Sequence, residues 1–383
     1  MTRPPVPGAP GAVISQSGEL RSARLESIRA VAALAVLFGH ASYALPLSTP
    51  EGLRTGMAGG LLGVDLFFVL TGYLLFWPFL RAATSGDRVD LGRYALNRAV
   101  RVLPLYYFVV VVLLVVQHGG GTFEQWWRFG LFAENFSDTT LEKVDAPMWS
   151  LVVEIHFYAL LPLLGLLLAR TARRGLAFGV GLVAILGIAS LVSWQALVVG
   201  DPEPQDQWKF SLPGRFWLFS AGMFVAFARL AWAERRPAFL RGWGASPAVW
   251  WIAAVGLWAV AAWHPQLEAL TAPAGFLLVG SCVLLGAASD PVTRTLDWRP
   301  LALIGVASYS LYLWHVPVLA AFMNESLTDF SLPTRGTNPA LVATAGIGVS
   351  IAIAAASYAL IESPFLRLRR RWARGTAPQR DSA

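Results

Sequence analysis

The chain predicts an all-α, polytopic membrane bundle of about ten transmembrane helices with both termini cytoplasmic. Three observations carry that expectation. Only 14% of its 383 residues are charged and 56% are hydrophobic, where soluble domains carry about a quarter charged residues; the mean hydropathy is +0.55. The apolar residues gather into runs long enough to cross a bilayer. Lys and Arg then alternate between successive loops, as the positive-inside rule demands.

The runs fall in order at 27–45, 58–80, 103–118, 147–169, 176–199, 212–232, 247–264, 270–288, 300–323 and 339–361, each ending at Pro, Gly or charge. The third is short, and the amphipathic DLGRYALNRAVRV before it (90–102) is expected to lie at the membrane interface. One set of loops holds Arg21 and Arg24, Arg81 to Arg101, Arg170 to Arg174, Arg229 to Arg241, Arg294 and Arg299, and the arginines after Arg367. The other holds little beyond Arg54, Arg128, Lys143, Lys209, Arg215 and Arg335. The 16 Trp and 22 Phe suit interfacial anchoring and packing between helices.

The net charge of +7 comes largely from arginines in short loops. That fits membrane orientation and leaves no case for nucleic-acid binding. A lone Cys282 excludes an intrachain disulfide and a multi-cysteine metal site, and the five His lack HExxH spacing, so no metal is expected. Residues 1–24 read as a disordered cytoplasmic tail and 367–383 as a basic one. No internal repeat or appended soluble domain is evident; the missing repeat symmetry and the lack of helices broken by paired Gly/Pro interruptions count against a transporter or flippase.

Ionisable groups inside apolar runs mark candidate sites, because burying them in lipid is costly. Arg29 and His40 stand eleven residues apart in the first run. At about 100° per residue that returns both to one helix face, roughly 16 Å apart along the axis. By the same topology His40, Asp65, Glu154 and His315 reach a similar depth in the outer half. Ser308, Tyr312 and His315 recur at i, i+4 and i+7 on one face, although Tyr309 and Tyr312 read first as packing. At the cytoplasmic end Arg98 and Arg101 point the same way and suit a phosphate-bearing ligand. His118, Glu51 and His264 read as inert loop residues. A positioned His or carboxylate that activates a hydroxyl suits acyl transfer better than redox or hydrolytic metal chemistry.

These residues also carry a resemblance. Arg29-x10-His40, GVDLFFVLTGYLL (63–75), RAVR (98–101), WSLVVEIHFY (149–158), SYSLYLWH (308–315) and ESPF (362–365) stand in an order similar to that of the acyltransferase-3 family of membrane O-acyltransferases. The resemblance covers roughly Leu25 to Phe365, which places the family domain at 25–366. Two departures are small: Thr71 stands where the family usually has Ser, and Glu26-Ser27 where Asp-Gly is frequent. The resemblance implies an enzyme of the inner (cytoplasmic) membrane with no permanently bound cofactor. Its donor substrate would be acyl-CoA, usually acetyl-CoA, and its acceptor a hydroxyl on a glycan, a glycolipid or a macrolide. It implies phosphate contacts from Arg98 and Arg101 and a catalytic set of His40, Glu154 and Arg29, with Glu154 helping His40. Asp65, Trp149, Ser150, Tyr312 and His315 are then substrate-binding or supporting residues. The chain is expected to end too soon for the extra periplasmic domain that some members carry.

Overall fold

The computed structural model describes residues 10–45, 48–117, 119–171, 175–201, 206–285, 290–323 and 338–375; for 10–22, 117, 171 and 370–375 it describes the backbone alone. His118, Arg173, Arg174 and Arg335 lie outside the described residues. No strand is present among those described.

Among the described residues, every apolar run of the sequence falls mainly on helix. The long helices are α1 (Pro10–Ala41), α2 (Gly63–Ser85), α3 (Leu91–Val112), α4 (Trp149–Thr171), α5 (Leu176–Trp194) and α6 (Leu212–Glu234). They continue with α7 (Pro247–Trp263), α8 (Thr271–Leu284), α9 (Arg299–Val306), α10 (Ser308–Met323), α11 (Pro339–Ser357) and α12 (Ser363–Gly375). Among the described residues, eight helical segments are long and apolar enough to cross a membrane. The seventh run gives the shorter apolar helix α7, and the ninth gives α9 and α10, bent by 72° against each other. This is a multi-pass membrane protein.

Three sequence expectations are corrected here. Residues 90–102 are not a separate interfacial element, because α3 runs unbroken from Leu91 through Pro104 to Val112. Asp90 caps it by accepting from the Arg93 amide at 2.9 Å, and Pro104, at the junction of the amphipathic and apolar halves, does not end the helix. The ninth run, read as one span over 300–323, is broken: Ala307 leaves helical geometry (φ −87°, ψ 5°) between α9 and α10. Arg215, counted as a loop charge, is in fact buried within the first turn of α6.

Glycines set the helix spacing that positions the site. A Cβ on Gly60 or Gly63 would strike the Ala35 or Ala32 carbonyl of α1, so the start of α2 lies directly on the helix that carries Arg29 and His40. Where α2 crosses α6, a Cβ on Gly72 would meet the Phe219 carbonyl, and one on Gly222 would meet the Val69 carbonyl. Close backbone approach of this kind is how membrane helices gain packing without a hydrophobic driving force between them. Phe76, Phe157, Phe219 and Leu218 fill the core around this crossing.

Candidate active site

Two cavities open along the bundle and share a wall. The inner one, about 820 Å³ including its mouth, is lined by Arg29 of α1, Arg98 and Arg101 of α3, Thr71 of α2 and Glu154 of α4. The outer one, about 1360 Å³ by the same measure, is lined by His40, Asp65, Trp149, Lys209, Arg215 and Glu268 among others. Val64 and Tyr312 face both. The eleven-residue spacing on α1 thus places Arg29 in one cavity and His40 in the other.

In the inner cavity the three arginines are held differently. Arg29 Nη1 lies 3.4 Å from Glu26 Oε2. Arg101 Nη1 donates to Glu362 Oε2 at 2.7 Å, and the same carboxylate accepts from Ser310 Oγ at 2.5 Å. Arg98 stacks over Tyr158 at 5.9 Å, and its Nε has no hydrogen-bond partner. Ser308 Oγ, exposed to this cavity by the break before α10, is also buried without a partner. Glu154 accepts from Thr71 Oγ1 at 2.8 Å. Three cations and unpaired donors in one apolar-walled cavity suit a polyanion.

In the outer cavity the chemistry centres on two imidazoles. His315 Nδ1 sits 2.7 Å from the Tyr312 carbonyl and 3.2 Å from that of Leu311, so this nitrogen is the protonated donor. Its Nε2 is then an acceptor, 3.2 Å from His40 Nδ1. His40 Nδ1 also faces the Val36 carbonyl at 3.0 Å, which fixes its proton there. The tautomer that follows leaves His40 Nε2 with a free lone pair, the arrangement a general base or nucleophile needs. Tyr43 packs edge-on against the His40 ring at 6.0 Å.

The same cavity holds a buried ion network. Arg215 Nη1 donates to Glu268 Oε1 at 2.5 Å and lies 3.5 Å from Asp65 Oδ1, while Thr271 Oγ1 donates to Asp65 Oδ2 at 2.8 Å. The guanidinium is sandwiched over Trp194 at 3.9 Å and Trp149 at 5.3 Å. Charges taken out of water need this degree of pairing. The shared wall is pinned by Tyr312, whose hydroxyl donates to the Pro147 carbonyl at 3.0 Å and meets Ser150 Oγ at 2.7 Å.

The comparison with known proteins decides the family. The acyltransferase domain model of the acyltransferase-3 family matches residues 22–359. The chain belongs to that family. Among curated relatives, the O-acetyltransferase OatA of Staphylococcus aureus (strain NCTC 8325 / PS 47) is 24% identical over 378 residues, covering 89% of this chain and 56% of OatA. A Bacillus subtilis protein provisionally named peptidoglycan O-acetyltransferase YrhL is 25% identical, covering 77% of this chain and 48% of its own length. BcsY of Komagataeibacter xylinus, provisionally named a membrane-bound transacylase, is 26% identical, covering 82% and 78%. The chain therefore spans about half the length of the first two relatives. No solved structure matches it.

Both departures from the family pattern retain their chemistry in place: Thr71 supplies the hydroxyl to Glu154, and Glu26 the acid beside Arg29. Of the residues singled out in the sequence, the structure gathers Arg29, Arg98, Arg101 and Glu154 at one site and His40, His315, Asp65 and Trp149 at the other. Ser150 and Tyr312 stand between them. It does not bring Glu154 to His40 or to the depth of Asp65. Glu154 lies in the inner cavity, and the partner of His40 is His315. Tyr309 and Tyr312, read first as packing, both line the inner cavity. Sequence reasoning missed the Arg215–Glu268–Thr271 network and the hold of Glu362 on Arg101. The ESPF motif contained the second signal; an arginine opening the apolar run RFWLFSAGMF was the signal for the first.

Proposed function

We propose that this chain is a multi-pass O-acyltransferase of the cytoplasmic membrane that moves an acyl group, acetyl in the first instance, from acyl-CoA to a hydroxyl of a carbohydrate or glycolipid. The observation that carries the reading is the shared wall: a cavity with three arginines abuts a cavity with a basic imidazole. Names of relatives point the same way, since OatA is an O-acetyltransferase and YrhL carries a peptidoglycan O-acetyltransferase name.

On this reading Arg29, Arg98 and Arg101 take the donor phosphates, and the arm bearing the thioester extends toward Tyr312. Glu154, oriented by Thr71, accepts from the amide groups of that arm. The acceptor occupies the outer cavity beside His40, with Trp149 and the Asp65–Arg215–Glu268 network as its polar and aromatic lining. His40 Nε2 takes the hydroxyl proton as the oxygen attacks the thioester carbonyl. A C–O bond forms, the C–S bond breaks, and the proton passes to the leaving thiolate. His315 keeps the His40 ring in the tautomer that leaves Nε2 basic. The topology expected from the sequence, ten spans with the arginine-rich loops and both termini in the cytoplasm, would turn the inner cavity toward the compartment where acyl-CoA is made. The functional unit is 25–366, and residues 1–24 and 367–383 carry none of these roles.

The test is transfer of radiolabelled acetyl from acetyl-CoA by protein in nanodiscs, offered glycans, glycolipids and a glycosylated macrolide in parallel. Label on the glycan or glycolipid, with matching CoA release, is the expected result. Label on the macrolide alone would move the acceptor to secondary metabolites. Proton-coupled solute movement without CoA release would replace the enzyme with a transporter.

A further inference from the structure

A third cavity, about 850 Å³ including its mouth, lies between the second half of α2, the last turns of α6, the turn Ala238–Arg241 and the end of α8. It shares no lining residue with the two cavities above. We propose that it binds the phosphate headgroup of an anionic phospholipid.

Its chemistry is specific. Arg229 and Arg236 line it together with Trp77 and Trp232, over a floor of Leu240 and Leu284. Arg229 is fixed by one hydrogen bond, from Nη1 to the Tyr73 hydroxyl at 2.6 Å, and by stacking 4.0 Å above the Trp77 ring. That contact leaves most of its five N–H donors for a ligand. Among the described residues neither Arg229 nor Arg236 forms a salt bridge, in contrast to Arg24, Arg101 and Arg215. Two arginines without carboxylates, at the end of the bundle that the charge count assigns to the cytoplasm, match the anionic leaflet surface.

The rim distinguishes a lipid from free phosphate. Trp232 packs edge-on to Phe239 at 5.7 Å, and Phe239 lies 6.4 Å from Trp243, which is 72% exposed. A ladder of aromatic rings beside a cationic cavity is the arrangement that sits at headgroup level. The apolar floor continues into Val283 and Leu230, giving the glycerol and upper acyl chains a surface that inorganic phosphate has no use for.

The experiment is native mass spectrometry of the full chain released from detergent, titrated with phosphatidylglycerol, phosphatidylcholine or inorganic phosphate. One phosphatidylglycerol per chain is expected to persist while phosphatidylcholine is lost. At about fivefold per arginine near an anionic headgroup, the Arg229→Gln/Arg236→Gln pair weakens retention about thirtyfold. Arg236→Gln alone, at an exposed position that leaves the Trp77 stack intact, weakens it about fivefold and serves if the double variant does not fold. Arg294→Gln and Arg299→Gln, at the same end but outside the cavity, leave it unchanged. Equal loss in those controls, or equal retention of phosphatidylcholine, would overturn the site. Inorganic phosphate binding as tightly as the lipid would overturn the lipid as its ligand.

Discussion

At Arg98 and Arg101, three residues apart on α3, similar sequence positions end in different physical situations. Arg101 holds Glu362, whose side chain is 2% exposed, through Nη1, so removing the cation strands a buried charge, while its other donors remain for a phosphate. Arg101→Gln is expected to destabilise the protein by about 3 kcal/mol, and Glu362→Gln in the same chain to recover much of it. Melting curves of the two single variants and the double variant measure this coupling; additive losses would contradict it. Arg98 has its Nε unpaired. Arg98→Gln is therefore expected to raise the KM for acetyl-CoA about tenfold, the effect of one charge-assisted bond of about 1.5 kcal/mol, with little change in melting temperature. The sequence showed both arginines and their common face. It gave no sign of which was spoken for, because Glu362 lies 261 residues away.

Glu134 makes a second residue-scale case, outside the spans. Burial pushes its carboxyl up from 4.5 to about 8. The Tyr106 hydroxyl beside it, 2.9 Å from Oε1, also lies 3.0 Å from the Phe129 carbonyl. The folded state then holds a proton that the unfolded chain releases, so stability falls as pH rises from 4.5 to about 8 and levels off above that. Glu134→Gln has no proton to lose. Its melting temperature is expected to overtake that of wild type on the alkaline side of this window, and parallel pH–melting profiles would contradict the assignment.

At the scale of elements, hydropathy located all the apolar helices because each must bury its backbone hydrogen bonds within itself in lipid. The break between α9 and α10 was hidden, since RPLALIGVASYSLYLWHV reads as one apolar run. What decides it is tertiary. A Cβ on Gly305 would strike the Glu26 carbonyl, so α9 is drawn onto α1 while α10 departs to form the cavity wall. The α2–α6 crossing depends on glycine in the same way. Gly222→Val drives side-chain carbons into the Val69 carbonyl and the Tyr73 amide, and backbone on both sides leaves no flexible group to yield. A loss of about 3 kcal/mol, at the upper end for overpacking, is expected from thermal unfolding, with Gly181→Val on a face with open space as the neutral control. Equal melting temperatures for the two variants would show that the crossing does not depend on close approach.

In the whole molecule the two cavities of the candidate active site meet at Tyr312, Val64 and the start of α4. Composition and the long apolar runs made the multi-pass membrane class legible. The Arg29-x10-His40 spacing located both ends of the site on one helix. The division into separate cavities was not legible, since depth estimates from run boundaries are too coarse to separate Glu154 from Asp65. Pairing His315 with His40 likewise needed α10 to be folded against α1. The central claim is that donor binding and proton removal lie in different cavities. Acetyl-CoA affinity and acceptor-dependent CoA release, both measured on His40→Ala in nanodiscs, test it most directly. The account predicts wild-type affinity with release abolished. Lost affinity, or release at the wild-type rate, would contradict it.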